Sequence, residues 1–79
     1  MATLTTALNT AFTPAAGDFI VQCSAGVASL QRRASAGAGW THVGTLTGND
    51  SPVISNPVAG AQYQFLQVGA TTAVVQAEQ

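Results

Sequence analysis

Apolar and polar residues alternate along most of this chain, which is the pattern of half-buried β-strands. In DFIVQCS (18–24), every second residue from Phe19 to Cys23 is apolar and faces one side. Comparable stretches are VASLQRR (27–33), WTHVGTL (40–46), SPVIS (51–55), QYQFLQV (62–68) and TTAVVQA (71–77). Turn-forming residues separate them at intervals of about eight to twelve residues. We therefore predict an all-β fold, a small β-sandwich or jelly-roll-like domain of six to seven short strands.

Short connections predict how neighbouring strands pair. We expect the strands on either side of SAG (24–26) to form one hairpin, and those on either side of Gly69 to form another. Pro52 cannot donate a backbone hydrogen bond, so its strand is expected at the edge of a sheet.

The first residues allow two interpretations. Leu4, Leu8 and Phe12 are spaced by four, which fits one side of a helical turn and equally one face of an extended arm. A Pro and a Gly then end the segment. We assign residues 1–17 to an N-terminal arm or first strand, and residues 18–79 to a single β domain.

Charge is scarce in this chain. Only five of 79 residues are charged, or 6%, where about 25% is usual. Such a surface is typical of a protein packed against neighbours. A net charge of −1 argues against nucleic-acid binding, which needs a basic surface. A membrane role is not expected, because no apolar run approaches about 20 residues and no signal-peptide pattern is present.

The residues that carry chemistry are too few and too scattered for catalysis. His42 is the only histidine, and neither a serine nucleophile motif nor metal-ligand spacing occurs. We expect no enzyme activity, no cofactor and no metal. Cys23 is expected to be a buried, unpaired thiol. RRAS (32–35) matches a basophilic kinase motif with Ser35 as acceptor, or is simply a strand end that runs into a loop.

Both cations are adjacent, and strand alternation separates them. Arg32 shares the face of Leu30 and is expected to lie along the core rim, whereas Arg33 points outward to a neighbour or to solvent. The alternative, in which both only increase solubility, stays open. Trp40 is expected in the core or at its rim, with an exposed sugar-stacking position as the alternative.

The same alternation predicts a subunit contact. If Tyr63 and Phe65 face the core, the intervening and following apolar residues lie on the opposite face, where a lone monomer would expose them. The predicted protein-interface residues are Ile20, Arg33, Leu66 and Val68.

Two resemblances add to these interpretations. PVAGAQYQF (57–65) resembles the approach to the penultimate strand of immunoglobulin-like and fibronectin-like sandwiches, which implies that the Tyr63 hydroxyl holds the preceding loop. More broadly, GDFIVQ, VASLQRR, GAGWTHVG and VISNPVAGAQYQFLQ, within residues 17–68, resemble the small β-rich virion proteins of tailed bacteriophages.

The second resemblance implies a structural role. It implies a capsid decoration or cement protein that binds the major capsid protein or another virion protein, forms a homotrimer, and is made in the host cytoplasm for the virion. The alternatives are a phage tail or fibre β-module and a carbohydrate-binding adhesin domain.

Overall fold

Seven antiparallel strands form two packed sheets in the computed structural model, which describes residues 1–79. The strands are β1 (Thr3–Thr5), β2 (Gly17–Ala25), β3 (Val27–Arg33), β4 (Thr41–Thr47), β5 (Val53–Asn56), β6 (Gln62–Gln67) and β7 (Val74–Glu78). Sheet I has the order β1-β7-β2-β5, and sheet II has the order β4-β3-β6. The all-β sandwich prediction is confirmed. No helix long and apolar enough to span a membrane is present.

The core lies between the sheets and is built from the alternating residues of each strand. Phe19 and Phe65 are fully buried, and Leu30 lies opposite Phe65 in sheet II. Phe12 and Tyr63 complete an aromatic cluster, in which the closest ring centroids, those of Phe19 and Tyr63, are 4.8 Å apart. Such pairs add about 0.5–1.5 kcal/mol each beyond the burial of their surface. Cys23 is a buried free thiol, as predicted.

The two predicted hairpins are wrong, because both connections cross between the sheets. β2 pairs with β5 and β7 in sheet I, whereas β3 pairs with β4 and β6 in sheet II. β6 and β7 likewise lie in different sheets. A hairpin and a corner both bring the apolar faces of consecutive strands to the inner side, so alternation does not distinguish them. Pro52 does precede an edge strand, β5, as expected.

The N-terminal segment is extended and spans both sheets. β1 pairs with β7 at the edge of sheet I. Further along, the Phe12 and Tyr63 backbones exchange two hydrogen bonds of 2.9 Å, so the segment also borders β6 at the edge of sheet II. Leu4 and Leu8 pack against the core. The spacing by four therefore belongs to an extended segment rather than to a helical turn.

A buried polar relay connects this segment to the two sheets. The Tyr63 hydroxyl donates to Oδ1 of Asn56 at 3.2 Å, and both side chains are fully buried. Nδ2 of Asn56 donates to the carbonyl oxygens of Ala15 at 2.9 Å and Pro14 at 3.4 Å. The Tyr63 hydroxyl thus bonds to the side chain of Asn56, the residue immediately before the 57–61 loop.

Gly26, the single residue between β2 and β3, generates a test of the corner. Its φ is +70°, and a Cβ there would lie 2.9 Å from backbone atoms of Thr72 and Ala73. Gly37 has φ +86° with open space around it. We expect Gly37→Ala to cost about 1–2 kcal/mol for the left-handed backbone. Gly26→Ala should lower the free energy of unfolding by about 1–3 kcal/mol more, because the added Cβ would clash with the backbone of Thr72 and Ala73. Urea unfolding measures both, and equal losses would contradict the close approach.

Tyr63→Phe tests the relay. The change leaves Oδ1 of Asn56 buried without a donor, so we expect a loss of about 1–3 kcal/mol in the free energy of unfolding. The double variant Tyr63→Phe, Asn56→Leu removes both partners. If the hydroxyl acts only through Asn56, the effect of Tyr63→Phe in the Asn56→Leu background will be much smaller than in the wild type.

Candidate functional site

The outer face of sheet II holds most of the unusual side chains of this protein, and we call it the arginine face. Cross-strand pairing places its residues in rows from one end of the sheet to the other. Its residues are Arg33, Trp40, Gln62, Gln31, Gln64, His42, Val43, Ser29, Leu66, Thr45, Val27, Thr47 and Val68. Arg33 is the only charged side chain among them.

Arg33 is held by two contacts at one end of this face. Its Nε donates to Oε1 of Gln62 at 2.8 Å, and its Cζ lies 4.4 Å from the centroid of the Trp40 ring. Because the bond to Gln62 uses Nε, it leaves the two terminal guanidinium nitrogens available. A guanidinium group can donate two parallel hydrogen bonds to one carboxylate. The cation is therefore oriented before any partner arrives.

Hydrogen-bonded pairs fill the middle of the arginine face. Nε2 of Gln64 donates to Oε1 of Gln31 at 2.9 Å. Oγ of Ser29 and Nδ1 of His42 are 2.9 Å apart, and the imidazole is exposed. No group of three or more His, Cys, Asp and Glu side chains that could hold a metal occurs in the chain. The polar side chains bind one another and form an ordered surface.

A β-bulge in β4 turns Trp40 and His42 outward. Leu30 pairs with Gly44, but the next residue, Gln31, pairs with His42, so Val43 is the extra residue. Without the bulge, His42 and Trp40 would share the inner face of Leu46. The expectation that Trp40 packs in the core or at its rim is wrong, because its half-buried ring lies against Arg33 and outside the core cluster.

The opposite broad surface, the outer face of sheet I, carries two of the three acidic residues, Asp18 and Glu78, and we call it the acidic face. Ile20 pairs with Glu78 on one side and with Val53 on the other. The remaining members are Asp18, Gln22, Ser55, Val74, Gln76 and Thr3. Three of the four predicted interface residues, Arg33, Leu66 and Val68, share the arginine face, whereas Ile20 lies on the acidic face.

Arg32 lies on the inner side of β3, as alternation predicted. It is half-buried opposite Tyr63 in β6 and Thr41 in β4. Ser35 is exposed in the loop that follows. The two arginines thus occupy opposite faces of the same strand.

Asp50 follows β4 and is bonded to Thr47, at the end of the arginine face away from Arg33. The backbone N–H of Thr47 donates to Oδ2 of Asp50 at 2.8 Å, and the Thr47 hydroxyl donates to it at 3.0 Å. These bonds lower the pKa of Asp50 below its usual value of 3.8. Asp50 therefore stabilises the turn between β4 and β5.

Comparison with known proteins gives no relative from which a role could be transferred. No family model, curated protein or solved structure matches this chain significantly.

Several contacts of the arginine face could not be predicted from strand alternation. Gln62 and Gln64 share the alternation of Leu66, so the pattern already placed them on its face. Their partners Arg33 and Gln31 sit on another strand, and only the register of β3 against β6 identifies them. The positions of Trp40 and His42 depend on the bulge, and the signal that could have indicated it is Gly44, an isolated glycine inside the strand.

The two arginines provide a matched pair of variants. We expect Arg32→Glu to lower the free energy of unfolding by about 1–3 kcal/mol, because a carboxylate without a donor would lie at the core rim. Arg33→Glu should leave stability nearly unchanged and shift the fluorescence of Trp40, the only tryptophan, to longer wavelength, because it uncovers the ring. Thermal unfolding and emission spectra measure both. Equal destabilisation by the two variants would contradict the opposite placement.

Proposed function

We propose that this protein is a structural component of a tailed-phage virion, a decoration or cement protein that attaches to assembled capsid subunits through the arginine face. The observation that carries the proposal is the composition of this face. It combines an oriented cation, hydrogen-bonded amides and apolar side chains, of which Val68 is 46% exposed. Aromatic residues and arginine are enriched in protein interfaces, and ordered side chains lose little entropy on binding.

The mechanism is binding by shape and by a few anchored contacts. Arg33 supplies the one charge-assisted contact, and Leu66 with Val68 supplies apolar area at the other end of the face. A protein that binds only the assembled shell stabilises it by mass action. The sparse charge of the chain limits repulsion between neighbouring copies on such a shell.

A carbohydrate-binding adhesin is less well supported, because Arg33 covers the aromatic ring that a sugar would need. Sugars stack on an open aromatic face, and the guanidinium lies over the ring of Trp40, the only tryptophan. A tail or fibre module would use the same kind of face against a different virion protein. The experiment below separates these roles.

Shells purified from phage particles that lack this chain, produced by deleting its gene, provide the test. We expect the wild-type chain to co-sediment with these shells and to raise the temperature at which they disassemble. Arg33→Glu should bind at least about tenfold more weakly while its own unfolding is unchanged. Val58→Lys, a change at an exposed loop residue away from both faces, serves as the control.

Three results would contradict the proposal. The wild-type chain stays in the supernatant with the shells, it is found in purified tails instead of heads, or it binds an array of soluble glycans. The second result would favour the tail module, and the third would favour the adhesin.

A further inference from the structure

The two broad faces of the sandwich are complementary in charge. The acidic face carries Asp18 and Glu78 and no cationic side chain. The arginine face carries Arg33 at one end, and Asp50 is hydrogen-bonded to Thr47 at its other end. The end of the arginine face that holds Arg33 therefore attracts the acidic face, and two acidic faces repel each other.

The complementary groups also lie at matching positions. β2 ends where β3 begins, separated only by Gly26, so the start of β2 and the end of β3 lie at the same end of the sandwich. Asp18 and Arg33 are therefore at one end. Val74, which pairs with Ala25, and Val68, which bonds to Val27, are at the other end. Moving one copy perpendicular to the sheets brings its arginine face onto the acidic face of the next copy in this register.

Apolar area and size agree with such a contact. The acidic face exposes Val53 by 61% and Val74 by 52%, and the arginine face exposes Val43 and Val68. The two larger Cα extents, 32 Å and 27 Å, correspond to a broad face of 32 × 27, or about 860 Å². A standard interface needs about 800 Å² from each partner. Exposed valines on both faces would be covered in the same contact.

We propose that copies of this protein associate head to tail, with the arginine face of one copy on the acidic face of the next. The two faces lie on opposite sides of the molecule, so each end of a pair still presents one free face. Further copies can add there, and the association continues as an open stack. This contact joins all four predicted interface residues, with Ile20 of one copy against the face that holds Arg33, Leu66 and Val68 of its neighbour. The inference goes beyond the proposed function, because it requires no capsid.

Sedimentation velocity on the purified full chain is the first test. We expect the weight-average sedimentation coefficient of the wild type to rise continuously with concentration, without a plateau at the dimer or trimer. A monomer over the whole range to about millimolar, the concentration at which a very weak contact becomes populated, would overturn the proposal. A plateau at the trimer would overturn the open stack.

Variants that block one face each distinguish head-to-tail contact from contact between like faces. Leu66→Lys blocks the arginine face, and Val74→Lys blocks the acidic face. We expect each variant alone to be monomeric and an equimolar mixture to form a dimer that grows no further. Val58→Lys should associate like the wild type. Self-association of either blocked variant, or a mixture that stays monomeric, would overturn the arrangement.

Charge reversal supplies a second test that does not depend on apolar residues. Arg33→Glu should weaken association by about tenfold or more. Adding Asp18→Arg to the same chain restores opposite charges at the contact, so we expect most of the association to return. Thermal unfolding confirms that each variant is folded. Failure of the double variant to recover, with its fold intact, would overturn the proposed register. Failure of the wild-type chain to co-sediment with shells, by contrast, would contradict the proposed function and leave this self-association unaffected.

Discussion

The buried amide of Asn56 is the constraint on which much of this fold depends. It lies at the end of β5 in sheet I, receives the hydroxyl of Tyr63 from sheet II, and donates to the carbonyls of Pro14 and Ala15 in the N-terminal segment. Three parts of the chain therefore meet at one side chain. A buried amide is costly unless it is satisfied, so these partners are held together in a single arrangement.

The position of the N-terminal segment follows from this anchor. Holding the chain at Pro14 places Phe12 against Tyr63 and Phe65, where it completes the aromatic cluster. The same segment borders β6, which would otherwise be an open edge of sheet II. Earlier in the chain, it forms β1 at the edge of sheet I. In a chain of 79 residues, this cover adds core that a thin sandwich otherwise lacks.

The arginine face depends on a second constraint, the bulge in β4. One extra residue moves His42 next to Ser29 and Trp40 next to Arg33. Arg33 is the one charged residue of this face. Its amides bind one another, and the Ser29 hydroxyl bonds to His42. Because Asp18 and Glu78 lie on the opposite side, the molecule has two unlike broad surfaces.

The sequence by itself determined the fold class, most of the strands and the inner and outer side of nearly every strand residue. Alternation is a local property of period two, so it correctly placed Phe19, Tyr63, Phe65 and both arginines. It did not determine strand pairing, because a hairpin and a corner through Gly26 produce the same alternation. Only the tertiary structure decided the register that joins Arg33 to Gln62 and the bulge that turns Trp40 outward. These features arise from contacts between distant strands, which compete for burial and backbone hydrogen bonds across the whole domain.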